Sequence, residues 1–226
     1  MKPALALPLL LLTMVGCGSE TETEGVTSSD ALATVDLTFS VRAESNGAEV
    51  LLALTIAGPG HVSVTLGGGD QLLVSAEDAA EHPFSAMGTY EYIALLPTSK
   101  ARVRLTLQRA SGPVSADIDF PPPFTLSVPA AASAASVIPL SWDPAPAGGA
   151  MKLHVWGPCL TLLSRDLLTD TGSYELQPGD LASNGGTCQA SIMLDRPGGS
   201  APLGMGETSS AVTTAQVRTA AVEVSP

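Results

Sequence analysis

The sequence is poor in basic residues, aromatic residues and charge, and each shortage excludes a class of protein. Its 226 residues hold 10 lysines and arginines against 22 aspartates and glutamates, a formal net charge of −12. Nucleic-acid binding needs a basic surface that displaces counterions from phosphates, so we exclude nucleic acid as a partner. Only 14% of the residues are charged, whereas 22 glycines and 18 prolines are present. This balance favours a turn-rich β protein over helical bundles.

Catalytic and metal-binding patterns are also scarce. The three histidines, His61, His82 and His154, lie in no zinc, nucleophile or phosphate-loop motif. The run Glu77-Asp78-x-x-Glu81-His82 offers oxygen ligands that suit calcium, but it lacks the glycine-punctuated spacing of calcium loops. We interpret it as a solvated acidic loop. We therefore expect no enzyme, no catalytic residue and no metal ligand.

The first residues form the sharpest motif. Lys2 precedes an apolar run of about a dozen residues, 4–15, and a small residue stands before Cys17, which is the pattern of a secretory signal peptide. Residues 14–17 (Met-Val-Gly-Cys) resemble the lipobox of bacterial lipoproteins, with Met in place of the usual Leu. The resemblance implies cleavage after residue 16 and lipidation of Cys17, for example with palmitate. The alternative is an ordinary signal peptide cleaved nearby.

The lipobox resemblance sets the expected location and the cofactor. Residues 1–16 are then a lipoprotein signal peptide, and 17–32 are polar and acidic, which predicts a disordered tether. The membrane becomes a partner through the lipid on Cys17, and no other cofactor is expected. The favoured location is the bacterial cell envelope, on the outer membrane and facing the periplasm or the surface.

The remaining cysteines form an even pair. Cys159 and Cys188 are left when Cys17 is lipidated, and exported proteins favour disulfides. A bridge between them closes a loop of about 30 residues, worth roughly 3.5 kcal/mol in the chain-entropy model. Two free buried thiols are the alternative.

Period-two alternation dominates residues 33–120 and predicts a first β-sandwich. Asn46-Gly47 predicts a hairpin turn, since both residues tolerate positive φ. The glycine run 67–69 predicts a second hairpin between 62–66 and 72–74. Three prolines, 121–123, favour stiff extended geometry and are predicted to be the linker between domains.

Residues 124–226 predict a second sandwich. Their first strands read Phe-x-Leu-x-Val-Pro (124–129), Ile-x-Leu-x-Trp-x-Pro (138–144) and Leu-x-Val (153–155). This order resembles fibronectin type III and related Ig-like domains, which implies that Trp142 lies in the core. The sequence departs from the family in its third strand and lacks the later tyrosine pattern. The fold class is thus all-β, with two small antiparallel sandwiches after the tether.

Two smaller interpretations concern the loops. Glycine and proline make residues 197–206 a predicted flexible loop. Residues 76–80 or 164–168 are the only stretches where we expect a helical turn.

Surface residues give the functional hypotheses. Arg102 and Arg104 alternate outward and are expected to pair with Asp117 and Asp119 on the next strand. Trp156 lies out of phase with its apolar neighbours, so the candidate contact surface comprises Trp156, Arg102 and Arg104. The sequence favours a non-catalytic binding or structural module whose partner is an envelope protein or glycan. A calcium- or ligand-binding lipoprotein and an envelope-polymer hydrolase are the alternatives.

Overall fold

The computed structural model describes residues 26–76, 79–145 and 149–226 of the protein. This part consists of β-strands and three short 3-10 turns, Ser29–Ala31, Thr34–Asp36 and Pro59–His61, with no α-helix among the described residues. The predicted all-β class is confirmed. The predicted signal peptide, Cys17, Glu77 and Asp78 lie outside the described residues. Within the described residues, no helix has the length and apolarity needed to cross a membrane.

Eighteen strands follow one another along the chain. The first ten are β1 Thr27–Ser28, β2 Thr38–Ser45, β3 Val50–Ala57, β4 Val64–Thr65, β5 Gln71–Ala76, β6 His82–Pro83, β7 Ser85–Ala86, β8 Glu91–Leu96, β9 Arg102–Gln108 and β10 Val114–Asp119. The last eight are β11 Thr125–Ser127, β12 Ala131–Ser133, β13 Ile138–Asp143, β14 Met151–Gly157, β15 Leu160–Leu167, β16 Ser173–Leu176, β17 Cys188–Pro202 and β18 Ala211–Ser225.

Two small sheets face one large sheet. The large sheet has the order β15-β14-β17-β18-β2-β3-β8-β7, and β12 pairs with the end of β18. A four-stranded sheet, β10-β9-β5-β6, covers the N-terminal part, and a three-stranded sheet, β11-β13-β16, covers the C-terminal part. Alternating apolar residues of each strand point between the sheets, as the period of two predicts.

The sheets enclose two hydrophobic cores. Along the chain, the continuous part of the first core ends at Phe120 and the second core begins at Phe124. Prolines 121–123 lie between these two residues. Trp142 is 4% exposed in the second core, which confirms its predicted place. However, Leu203, Met205 and a residue at the start of β18 pack in the first core. The assignment of the two cores to separate domains stays a prediction.

The β17–β18 hairpin runs through both cores. Each strand has fifteen residues, spanning roughly 50 Å, against a usual length of about five to six residues. The open end of the hairpin lies in the second core. At the other end, next to the turn, the first residues of β18 pair in parallel with β2, from Ala211 opposite Ser40 to Gln216 opposite Ser45. The predicted flexible loop at 197–206 is therefore wrong. Residues 197–202 are ladder-paired, and Leu203 and Met205 are 3% exposed.

A buried guanidinium holds the joint. Arg196, which is 4% exposed, donates from Nε to Asp170 at 2.9 Å, and from Nη1 and Nη2 to the carbonyls of Pro122 and Pro144 at 2.9 and 2.7 Å. Asp170 also accepts the indole N–H of Trp142 at 2.5 Å. One cation thus satisfies carbonyls of the linker and of the second sandwich, as a buried charge requires.

A second arginine connects the linker to the first sandwich. Arg218 donates from Nε to the carbonyl of Phe124 at 2.7 Å and from Nη1 to that of Ser45 at 3.1 Å. Its guanidinium lies 5.2 Å from the Phe124 ring centroid, and that of Arg196 lies 4.5 Å from it. The ring is packed against two cations, which fixes the direction in which the linker enters β11.

The start of the described chain corrects the tether's extent. Residues 27–32, predicted to belong to the tether, are packed on the first sandwich, where β1 pairs in parallel with β4. Arg109 donates from Nη2 to the carbonyls of Ser29 and Leu32 at 2.6 and 2.9 Å, and its Nε lies 3.1 Å from an oxygen of Asp70. Hydrogen bonds from Arg109 to backbone carbonyls hold this segment in place, and amino-acid composition cannot predict them.

Local predictions have mixed outcomes. The hairpin at Asn46-Gly47 is confirmed, with β2 antiparallel to β3 and Gly47 at φ +91°. The second hairpin is wrong, because β4 pairs with β1 rather than with β5, although residues 67–70 do form a turn. The helical turn considered at 164–168 is also wrong, since most of it lies in β15.

The predicted disulfide is confirmed. Cys159 and Cys188 are bonded with their Cα atoms 5.7 Å apart, joining the turn after β14 to the first residue of β17.

We expect Arg196→Met to lower the free energy of unfolding by about 3 kcal/mol, because it leaves the Asp170 carboxylate buried without its counter-charge. Urea unfolding of the full chain measures this. Arg104→Met is the matched control, since it breaks an exposed pair and should change the free energy of unfolding little. Equal losses in the two variants would contradict a special role for the joint.

We expect the double variant Cys159→Ala/Cys188→Ala to lose about 3 kcal/mol of unfolding free energy, because the unfolded chain gains the entropy of an open loop. Thermal melting of the full chain with and without a reductant gives the comparison. The reductant should lower the melting temperature of the wild type and leave that of the double variant unchanged. A wild type insensitive to reduction would argue against the bridge in solution.

Candidate functional site

The two arginines of the predicted contact surface lie where the sequence places them. Arg104 donates to both oxygens of Asp117 at 2.8 and 3.2 Å, and Arg102 to both oxygens of Asp119 at 2.5 and 3.2 Å. The hydrogen bond from Arg104 lowers the pKa of Asp117. The expected cross-strand pairs are confirmed, and each guanidinium charge is matched by a carboxylate. Such exposed pairs solvate a sheet face and contribute little to stability.

Trp156, the third candidate, lies on a different face. It belongs to the outward phase of β14, with Lys152 and His154, on the large sheet. In the β14–β17 register, Trp156 is opposite Ser191 and His154 is opposite Met193. The indole is half-buried. The structure therefore does not bring Trp156 together with Arg102 and Arg104, which lie on the four-stranded sheet.

Asp195 is the polar residue on this outer face that sequence reasoning missed. Its side chain is 16% exposed, and its Oδ1 is buried without a hydrogen-bond partner among the described residues. Oδ2 lies 3.9 Å from Nε2 of His154. Burial, and then the charge of Glu44, raise the pKa of Asp195 to about 6, against the opposing effect of nearby cations.

The neighbouring histidine does not supply a stable counter-charge. Burial, and then the positive charge of Lys152, lower the pKa of His154 below its usual value, with Asp166 opposing. At neutral pH, Asp195 is therefore mostly ionised while the imidazole is mostly neutral. The face holds a carboxylate that takes up a proton under mildly acidic conditions. No sequence motif marks Asp195, because its neighbours, Lys152 on β14 and Val217 on β18, are distant from it in sequence.

The acidic run at 77–82 is only partly described. Glu77 and Asp78 lie outside the described residues, so the calcium alternative is not tested at its own ligands. Elsewhere in the described ranges, no group of three or more His, Cys, Asp or Glu side chains is arranged to hold a metal ion.

Comparisons with known proteins give fold likenesses only. No protein-family model matches the chain, and no curated protein matches it. A solved structure of chicken CNTN1 FN1–FN3 domains shares 13% identity, with 86% of this chain and 68% of that chain covered and a TM-score of 0.29. Clostridium thermocellum CbhA fibronectin(III)-like modules share 9% identity, covering 83% and 92% at a TM-score of 0.25. A tetra-tandem repeat of a large adhesion protein shares 10%, covering 82% and 49% at 0.25. The assignment of an all-β sandwich fold rests on the sheets described above.

We expect Asp195→Asn to stabilise the chain at neutral pH, because an amide of similar shape carries no charge to desolvate. An unfolded aspartate titrates near 3.9, so the folded chain holds a proton that the unfolded chain releases between about pH 4 and pH 6. This residue's penalty therefore grows as the pH rises through that window. It is complete above about pH 6, at up to about 3 kcal/mol.

Urea unfolding of the two chains at several pH values measures the difference between them. The variant should exceed the wild type by about 1–3 kcal/mol above pH 7 and equal it near pH 4. His154 is present in both chains, so its opposite pH dependence largely cancels. Asp166→Asn, on the exposed edge of the same face, is the control and should change little at either pH. A gain independent of pH would refute the explanation.

Proposed function

We propose that the protein is a lipid-anchored module of the bacterial cell envelope, without catalytic activity, that holds its C-terminal sandwich away from the membrane for contact with an envelope protein or glycan. The lipobox resemblance at residues 14–17 supports the anchor on Cys17. The observation that supports a distal second sandwich is the direction of the β17–β18 hairpin relative to the start of the chain.

The two ends of the β17–β18 hairpin lie at opposite ends of the large sheet. At the turn, the N–H of Glu207 donates to the carbonyl of Leu37 at 2.8 Å, directly before β2 begins. At the open end, Cys188 is opposite Val224. Thirteen residue steps of β18 separate the two ends, which is about 43 Å. The described chain begins at β1, which pairs with β4, and Ala57, opposite Thr38 at the start of β2, bridges to Ser63 beside β4. A tether that enters at this end of the sheet therefore leaves the disulfide end of the second sandwich distal to the membrane.

The joint supports a spacer role because it opposes hinge motion. Arg196 holds the linker carbonyl of Pro122, and Arg218 connects Phe124 to Ser45. In addition, the hairpin contributes side chains to both cores. Bending at the joint would break buried hydrogen bonds of charged groups, which is costly. A rigid spacer presents a distal surface at a defined height.

Trp156 is the side chain that we assign to partner contact. It lies on the outer face of β14, in the sandwich that the proposed orientation places distally, and it is half-buried rather than sealed in the core. Tryptophan that keeps part of its ring in solvent is enriched at protein interfaces. The paired Arg102 and Arg104 belong to the proximal sandwich and are less suited to this contact.

In-cell crosslinking of the tagged full-length chain, with mass spectrometry of its neighbours, tests the proposal. We expect a reproducible envelope partner that is lost in Trp156→Ala. Tyr90→Ala is the matched control, because Tyr90 is a partly exposed aromatic side chain of the proximal sandwich. Loss of the partner in both variants, or in neither, would contradict the assignment of the contact to Trp156.

Membrane fractionation of Cys17→Ser tests the anchor separately. The variant cannot be acylated at residue 17, so we expect it to leave the membrane fraction and lose its crosslinked neighbours. Membrane association equal to that of the wild type would overturn the lipid anchor while leaving the structural role of the sandwiches intact.

A further inference from the structure

The outer edge of β15 is the feature that the function above does not use. β15 ends the large sheet and, among the described strands, pairs only with β14. At its start, the edge is covered, because the N–H of Thr161 donates to the carbonyl of Ala182 at 3.0 Å and Leu160 bridges to Ser183. From Leu162 to Leu168, no described residue pairs with the backbone on that side. We call residues 162–168 the free edge.

Two leucines of the free edge are unusually exposed. Leu162 is 59% and Leu168 is 89% exposed, the latter the highest value among the large apolar side chains of the described residues. Soluble proteins usually protect edge strands with charge, proline or very short length, since an unpaired edge invites pairing with another strand. β15 is eight residues long and contains no proline; Leu162 is its third residue, and Leu168 directly follows its last residue.

The charges of the free edge are already balanced. Arg165 donates from Nη2 to Oδ1 of Asp180 at 2.9 Å and from Nη1 to the hydroxyl of Tyr174 at 2.5 Å. The hydrogen bond from Arg165, and then that from the backbone N–H of Gln177, lower the pKa of Asp180, which stays ionised. Asp166 is opposite Lys152 in the β14 register. A strand that arrives at this edge therefore meets no uncompensated charge.

The sequence of the free edge is complementary to itself. In an antiparallel pair of two copies centred on Arg165, Leu162 is opposite Leu168 and Ser164 is opposite Asp166. Arg165 is opposite Arg165, and each of these guanidinium groups is paired with its own Asp180. Each exposed leucine is then covered by the other copy's leucine, and a hydroxyl faces a carboxylate. A shift of the centre to residue 166 would place Leu168 opposite Ser164, and a shift to 164 would place Leu162 opposite Asp166, so in neither register does leucine face leucine within the free edge. Only the first register uses all seven residues.

We propose that the free edge pairs antiparallel with the same segment of a second copy of this chain, around a two-fold axis at Arg165, so that the two large sheets become one. Such an interface is isologous, as in most homodimers. The contact is small beside a standard interface of about 800 Å² per partner, so the dimer is weak and concentration-dependent.

Cysteine crosslinking tests the register. The full-length chain with Cys17→Ser is prepared with Leu162→Cys or with Leu168→Cys. We expect a mixture of the two to form an intermolecular disulfide, because opposed residues lie about 4.5–5.5 Å apart between Cα atoms. Either variant alone should not, since its two cysteines lie about 20 Å apart, six residues along the strands. A mixture that links no faster than the single variants overturns the proposal.

Sedimentation velocity tests the interface without added thiols. We expect the mass of the Cys17→Ser chain to rise with concentration, and Leu162→Lys/Leu168→Lys to weaken dimerisation about tenfold or more, because like charges then face each other. Leu95→Lys is the control, an equally exposed leucine on β8 at 56%, and should not change the dimer. A chain that stays monomeric, or a dimer insensitive to the lysine pair, overturns the proposal.

Discussion

The guanidinium of Arg196 lies buried where the linker, the second sandwich and the long hairpin meet. Its donors reach Asp170 and the carbonyls of Pro122 and Pro144, and its flat face lies against Phe124. Prolines 121–123 have no N–H to contribute to a ladder, so this stretch cannot be held by strand pairing. A hydrogen bond from the Arg196 guanidinium to the carbonyl of Pro122 takes the place of strand pairing. The relative position of the two sandwiches depends on it.

Asp195, the residue before Arg196 on β17, lies on the other face of the sheet, and its Oδ1 lacks such a hydrogen-bond partner among the described residues. Arg196 faces inward with a carboxylate and two carbonyls, whereas Asp195 faces outward, largely covered, with one oxygen unpaired. Successive strand residues point to opposite faces, so a one-residue change moves a side chain from a satisfied site to an unsatisfied one. Covered, unpaired carboxylates reduce stability, and proteins tolerate them mainly where function is concerned. This contrast makes the outer face around Asp195 and Trp156 the part of the second sandwich that packing alone does not explain.

Much of this fold could be predicted from local pattern, and the site could not. The alternation of apolar residues predicts most strands and Asn46-Gly47 predicts a turn, because both depend on neighbours in sequence. The disulfide is predicted by the even number of cysteines that remain when Cys17 is set aside. β15 was missed because Leu-Thr-Leu-Leu interrupts the alternation, and the end of β17 was missed because glycine and proline hide a strand whose ladder partner is β18. The burial of Asp195 and the packing of 27–32 by Arg109 arise from side chains distant in sequence, which no local pattern encodes.

The parallel pairing of β18 with β2 links architecture to orientation. Hairpins produce antiparallel neighbours, whereas a parallel pair needs a long connection, here nearly the whole chain. Its consequence is directional, since the beginning of β2 and the beginning of β18 lie at one end of the sheet. β2 therefore starts beside the hairpin turn, and the chain finishes at the opposite end of the sheet, near the disulfide. In the proposed orientation, an anchor before β1 makes the first sandwich the proximal one. The free edge of β15 then belongs to the distal sandwich, and antiparallel pairing there would point the anchors of the two copies in opposite directions.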